Sequence, residues 1–365
     1  MRARQACFSL SALAGGWVLA GYPLSLQLLP SRSWRQDEAL SPLVTIIVPA
    51  FRERESLRRK LEALRTLDYP ADRLQVIVTI DEDRELADIA RTAYPGAVVS
   101  FAEERDGKAK ALNRGLAEAS GEIVIMTDAN NILAPGSVRA AVRHFADDQI
   151  WAVAGRRGEI GSAYDRYEDL IRRLESRTGT VAAMNGEFMA IRRSRVPSWP
   201  THVVNDDLWL LCQIVRQGGR VVYEPEAVSL EDALPAADEV RRRSRMGAGR
   251  VMLAGELADM PSGFRWRLIS HKFGRLALPF LMLSALVSSL SLGRRRPYGA
   301  LAGAQLGVYA LGALSATGVD LPGPTGVAGR AARQLLLGNW AVAVGVVRAL
   351  RGRQSTKWDP VASVD

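Results

Sequence analysis

A chain of 365 residues has room for one large catalytic domain plus additional segments, and 48% hydrophobic with 24% charged residues is the balance of an ordinary globular enzyme. Its two cysteines, Cys7 and Cys212, exclude a disulfide framework and a metal–thiolate site, and His144, His202 and His271 lack zinc-helix spacing. The net charge of +9 comes without interleaved basic and aromatic residues, so no nucleic-acid partner is expected.

The apolar residues are unevenly spread. Positions 5–31, 276–293 and 297–319 carry no charged side chain, and each is long enough for a bilayer, which needs roughly 20 apolar residues. A fourth stretch, 334–347, is shorter and suits either a crossing or the interface. Basic residues gather beside these stretches (Arg32 and Arg35; Lys272 and Arg275; Arg348, Arg351 and Arg353), where they would meet anionic head groups. Trp34 belongs to a residue type that favours the same interface. The first stretch reads as a membrane anchor over 1–31. Its rival is a signal peptide, with Arg2 and Arg4 ahead of the apolar run and Ala12-Leu13-Ala14 as a small-residue site.

In the soluble middle, 43–49 (Leu-Val-Thr-Ile-Ile-Val-Pro) is a continuous β-branched run and predicts a strand buried on both faces. Residues 55–67 follow at helical spacing, with Leu57, Leu61 and Leu64 on one face. Strands over 74–80, 97–101 and 121–127 then alternate with helices over 85–94 and 108–119, the pattern of a doubly wound parallel sheet. The second half is mixed: a helix over 164–177, a short strand over 187–191, a helix over 207–217 stopped by Gly218-Gly219, and a strand over 220–224. A basic helix over 238–257 leads toward the membrane, and an irregular tail is expected from Gly352.

Ligands of such sheets bind at the carboxyl ends of the strands. Pro49, Asp81 and Asp128 all fall at or just past strand ends, which brings them into one crevice. There is neither a GxGxxG after the first strand nor a GxxxxGK[ST] loop. Separate acidic sites at Asp81, Asp128 and Asp206-Asp207, followed by the basic cluster Arg241–Arg245, suit an enzyme that holds a metal diphosphate and deprotonates a hydroxyl.

Six words in order carry a resemblance. They are Val48-Pro-Ala-Phe-Arg-Glu53, Ile80-Asp-Glu-Asp83, Gly107-Lys-Ala-Lys-Ala-Leu-Asn113, Thr127-Asp-Ala-Asn130, Asn205-Asp-Asp-Leu208 and Arg242-x-x-Arg245-Met246. Over about 42–250 the chain resembles the membrane-bound family 2 glycosyltransferases of GT-A fold, the group of the cellulose, chitin and hyaluronan synthases. The resemblance implies an α/β GT-A domain over 42–257, an anchor over 1–31 and a C-terminal membrane region over 270–350. It implies donor contacts from Pro49, Ala50, Glu53, Asp81, Lys108 and Asp128, with Mg2+ or Mn2+ held by Asp128 and Asn130. Asp207 would be the base, Arg242 and Arg245 would face the departing diphosphate, and Asp206 and Glu187 would border the acceptor. Two positions depart from the family pattern: Asn130 stands where a second Asp is usual, and Met246 where Trp is usual.

The implied reaction is inverting transfer from a nucleotide sugar, UDP-linked by resemblance, to a lipid or polysaccharide acceptor in cell-envelope glycan synthesis. The catalytic domain would be cytosolic, on a multi-pass inner-membrane protein; export through a signal peptide would part it from cytosolic donors. That topology leaves Arg294, Arg295 and Arg296 on the far side, against the positive-inside tendency. Either the two C-terminal segments form a shallow hairpin, or these arginines snorkel to head groups. The alternatives are a processive synthase, against which Met246 and the small number of membrane segments argue, and an inactive scaffold that binds nucleotide sugar or polymer, which Asn130 and Met246 keep open.

Overall fold

The computed structural model describes residues 1–158, 163–201, 203–232, 235–319 and 322–353. His202 and all of the expected tail beyond Arg353 lie outside them. Strands β1 (Val44–Ala50), β2 (Leu74–Asp81), β3 (Val98–Ala102) and β4 (Ile123–Met126) form a parallel half-sheet in the order β3-β2-β1-β4. β1 is central and buried at every position, as a β-branched run flanked by strands and covered on both faces must be. Following α1 (Arg2–Gly16) and α2 (Tyr22–Gln27) of the first apolar segment, helices α3 (Arg54–Leu64), α4 (Arg84–Ala93) and α5 (Lys108–Glu118) make the crossovers.

The other half-sheet is mixed and contains elements that the sequence pattern had not indicated: β5 (Asn131–Leu133), α6 (Ser137–Val142) and β6 (Ile150–Arg157). β7 (Met189–Arg192) runs antiparallel to β4 and to β6, and β8 (Arg220–Glu231) runs parallel to β6. The strand expected to end at Glu224 continues for seven residues. Pro225 cannot donate to the ladder, so the chain bulges, and pairing resumes after a register shift from Gly155↔Glu224 to Arg156↔Val228. The expected strand over 187–191 begins later because Asn185 and Phe188 close a tight turn, which leaves Glu187 at its tip. Helices α7 (Ala163–Thr178) and α8 (Asp206–Arg216) flank this half, and α9 (Ala236–Met252) leads out of it.

Among the described residues, three helical runs are long and apolar enough to cross a membrane: Arg2–Gln27, Ser262–Ser291 and Tyr298–Ala316. The first joins α1 (Arg2–Gly16) and α2 (Tyr22–Gln27) through a π turn. The second joins α10 (Ser262–Arg267) and α11 (Gly274–Ser291) through another. Trp17 Nε1 in one π turn donates to Ser270 Oγ in the other at 3.0 Å, so the two irregularities meet. The third run is α12 (Tyr298–Ala316). The stretch expected over 334–347 is part of one 28-residue helix, α13 (Gly323–Leu350), which packs along α9. Gly345 is required there, because a Cβ would strike the Ser244 carbonyl.

The sheet domain is tied to these helices through Glu175 of α7, which is fully buried. Its carboxylate accepts from Tyr22 Oη (2.6 Å), His271 Nδ1 (2.8 Å) and the Ala182 amide (2.9 Å). Burial alone would raise this carboxyl, but those donors pull it down to about 2. The stability it contributes is therefore complete above its ordinary value of 4.5 and is lost as pH falls through about 2. His271 is 1% exposed and belongs to this joint. Glu175→Ala should cost about 3–5 kcal/mol, the usual penalty for removing one side of a buried polar cluster. An unchanged Tm in detergent would remove Glu175 from that role.

Candidate active site

At the carboxyl edge of the parallel strands the chain turns sharply. Arg52, just beyond β1, has φ 65°, and Glu82, just beyond β2, has φ 63°; both are left-handed conformations that cost energy in residues with a Cβ. Gly107, at φ 85°, opens α5 and donates its amide to Asp81 Oδ2 at 2.8 Å. Arg114 Nη2 donates to Asp81 Oδ1 at 2.6 Å and, through Nη1, pairs with Asp106 at 3.1 Å. Asp81 therefore clamps the loop before α5. It is 4% exposed and, like the buried Pro49 and Ala50, is not among the residues that line the adjoining cavity.

The other sequence-selected residues converge. Glu53, Lys108, Asp128, Asn130, Glu187, Asp206, Asp207, Arg242 and Arg245 line one cavity of about 230 Å³. At its floor Lys108 Nζ bridges Asp128 Oδ1 (2.8 Å) and Asp206 Oδ2 (3.0 Å), drawing together the end of β4 and the start of α8. Burial opposes charge on this lysine, but the two carboxylates outweigh it and push its pKa up, so it stays an ammonium ion.

Asn130 Nδ2 donates to Glu231 Oε1 at 3.0 Å, an orientation that leaves its carbonyl oxygen for the cavity it lines with Asp128. Glu231 also binds Arg157 and, at 3.2 Å, Arg242. Glu187 pairs with Arg157 at 2.7 Å and lies 3.6 Å from Arg242. Burial, and then Glu231, push the Glu187 carboxyl up, while the two arginines pull the other way. Arg242 also meets Glu239 at 2.6 Å, so three carboxylates surround it. Arg245, three residues on and on the same helical face, has no ion pair among the described residues and is the free guanidinium of the cavity.

Asp207 lies in the first turn of α8, half-buried, with Oδ1 accepting the Leu208 amide at 2.7 Å. Burial, followed by the neighbouring Asp206, pushes its carboxyl up, which makes it a better proton acceptor. Asn205 does not cap α8 with its side chain; its Nδ2 donates to Met246 O at 3.1 Å and fixes α8 against α9. Gly186, Glu187, Asp207, Arg242 and Met246 also line a second, larger cavity on the side of the apolar helices.

Lys60 was not singled out from the sequence. It is 0% exposed, and its Nζ donates to Thr127 Oγ1 and Asn131 Oδ1, both at 2.7 Å, directly beneath Asp128. Its signal was its placement on the apolar face of α3 with Leu57, Leu61 and Leu64. Burial lowers its pKa to about 7, although Asp128 and Glu187 pull it up. Below pH 7 both the folded and unfolded lysines are charged and the burial penalty is complete; from about 7 to 10.5 only the unfolded one holds its proton. Relative to Lys60→Met, the parent should therefore gain stability across that window, by up to about 1.4 kcal/mol per pH unit. Parallel Tm–pH curves for the two proteins would contradict this.

Arg157 and Glu231 escaped notice because the ends of β6 and β8 had not been recognised, and Arg250 because it is one basic residue among many on α9.

The mixed sheet, with its parallel half and its carboxylates at the strand ends, has the topology of the GT-A glycosyltransferase fold. The chain belongs to glycosyltransferase family 2: the model of the glycosyltransferase-like family 2 matches residues 41–250. Among relatives, the probable glycosyltransferase YdaM of Bacillus subtilis is 27% identical over 248 residues, 59% of this chain and 57% of that one. A poly-beta-1,6-N-acetyl-D-glucosamine synthase of Staphylococcus aureus is 24% identical over 266 residues, 68% of this chain and 62% of that one. The matches thus span less than two thirds of either relative's length. Among solved structures, the mannosyltransferase PcManGT from Pyrobaculum calidifontis, in complex with GDP-Man and Mn2+, superposes with a TM-score of 0.76 at 24% identity. It covers 96% of this chain and 99% of its own, so the shared fold includes the flanking helices.

Proposed function

We propose that this glycosyltransferase moves a sugar from a nucleotide diphosphate donor to an acceptor hydroxyl with inversion, Asp207 being the base. The observation that supports this best is the place of Asp207: it is the carboxylate next to the Lys108-bridged Asp128–Asp206 pair that also faces the larger cavity. A donor in the smaller cavity and an acceptor in the larger one would meet there. As the acceptor oxygen bonds to the anomeric carbon, the bond to the diphosphate breaks with its electron pair and the hydroxyl proton passes to Asp207. Lys108 and Arg245 would meet the charge that grows on the leaving diphosphate.

A divalent ion of the Mg2+ or Mn2+ type takes one or two carboxylates together with phosphate oxygens. The residues present fit that need, because Asp128 supplies the carboxylate and Asn130, whose Nδ2 is engaged by Glu231, lines the same cavity with its carbonyl oxygen to offer. When bound, the ion would neutralise charge on the diphosphate. We assign the catalytic unit to 42–257, the anchor to 1–31 and the membrane region to 270–350. The catalytic side is cytosolic, where nucleotide sugars are made, and the acceptor is a lipid or saccharide of the cell envelope.

The test uses protein in nanodiscs with Mg2+ or Mn2+ and a panel of radiolabelled UDP- and GDP-sugars. Metal-dependent nucleotide release with one donor is expected, together with labelled product. A ladder of product sizes would indicate processive synthesis. Binding without release across the panel would replace the enzyme reading with a scaffold.

A further inference from the structure

The larger cavity, of about 570 Å³, has two kinds of wall. One is apolar, made by Leu19 of the first helical run, Leu278 of α11, and Leu335, Gly338 and Val342 along one face of α13. The other carries more positive charge than its own carboxylates answer. Arg157, Arg242 and Arg243 are tied to Glu187, Glu231 and Glu239, and Arg275 is tied to Glu168. Arg172, Arg250 and Lys272 make no ion pair within 4 Å among the described residues; Asp207 acts on Arg250 and Lys272, and Glu175 on Lys272, only from a greater distance. Arg172 donates to Asn185 Oδ1 at 2.9 Å, yet its buried Nε has no acceptor.

Lys272 had been expected to anchor at head groups in the interface; instead it is 7% exposed and lines the cavity with no side-chain hydrogen bond among the described residues. These three cations stand close enough to repel one another. Burial would push the Tyr164 phenol up, but Arg275, Arg243, Arg250 and Arg172 leave it below its ordinary value, the mark of a positive potential. Buried cations held beside apolar helices without a direct ion pair are costly, and such residues mark ligand sites.

We infer that this cavity is the acceptor site and takes a lipid whose head group joins an anionic phosphate to a free hydroxyl. Arg172, Arg250 and Lys272 hold the phosphate, the apolar wall takes the chains, and the hydroxyl faces Asp207. Guanidinium forks and an ammonium suit phosphate oxygens, and the volume suits a head group. The inference rests on the transferase reading above. In the step itself the acceptor oxygen bonds to the anomeric carbon, the nucleotide diphosphate leaves with the electron pair, Asp207 takes the proton, and the acceptor phosphate is unchanged.

The experiment supplies labelled donor and Mn2+ to the full chain in phosphatidylcholine nanodiscs with four acceptors. Phosphatidylglycerol and phosphatidylinositol carry both groups, monoglucosyl diacylglycerol lacks the phosphate, and sn-glycerol 3-phosphate lacks the tails. Label is expected in a phosphate-bearing lipid alone. Its KM should rise at least tenfold in Arg250→Gln and Lys272→Met, with partial return in Arg250→Lys, while donor titration reports that the variants are folded. Equal labelling of the neutral glycolipid or of glycerol 3-phosphate would overturn the inference. So would an unmoved KM in both variants, or donor hydrolysis with no acceptor labelled. With no donor consumed in any arm, the transferase reading itself fails and takes this inference with it.

Discussion

Asp207→Asn is expected to lower transfer by roughly 10²–10⁴-fold, the range supplied by a positioned general base, or about 3–5 kcal/mol of transition-state stabilisation. The amide keeps the shape of the side chain and can still accept the Leu208 amide at the helix start, so α8 and the donor cavity should survive. Donor affinity should therefore hold while turnover collapses, which distinguishes a base from a binding residue. The pH profile adds a second readout. Burial and Asp206 hold the Asp207 carboxyl above its ordinary 3.8, so activity in the parent should climb with pH through an acid limb displaced upward from an ordinary aspartate's. That limb should be absent from the residual activity of the variant. Unchanged turnover in Asp207→Asn would remove the base assignment.

Asp128→Ala should be nearly as damaging for a different reason. The carboxylate is the one that both faces the cavity beside Asn130 and anchors Lys108 from the β4 side. Its loss removes a hard oxygen for the divalent ion and frees Lys108 to turn wholly to Asp206. Turnover should fall by at least the roughly 10²–10³-fold that follows removal of one preorganised electrostatic group. Unlike Asp207→Asn, this change should also weaken donor binding and abolish its dependence on Mg2+ or Mn2+. Metal-dependent donor binding of parental strength in Asp128→Ala would place the ion elsewhere.

How much of this could be read from the sequence depended on how local each signal was. The parallel half-sheet was legible because continuous β-branched runs alternate with helical spacing, and its strand-end carboxylates could be assigned to one edge without knowledge of side-chain contacts. The mixed half was not. β5 has three residues and depends on pairing with β8, and Pro225 makes a single 12-residue strand read as a short one. The site was legible where a residue faces the cavity from a short word, as Lys108, Asp128 and Asp207 do. Contacts between distant segments left no local trace. Arg242 sits on the expected helix, but its enclosure by Glu187, Glu231 and Glu239 exists only once β8, α9 and the Glu187 turn are assembled. The same holds for Lys272, whose surroundings come from α7, α9 and α13, and for the Glu175 joint, whose partners lie in three separate segments of the chain.

The measurement that bears most directly on the central claim is the anomeric configuration of the product, read by NMR on sugar transferred from an α-linked donor. A single base at the junction of two cavities implies one direct displacement, and the account predicts a β-linked product. An α-linked product would require a second displacement or a front-side path, and would contradict the role given to Asp207.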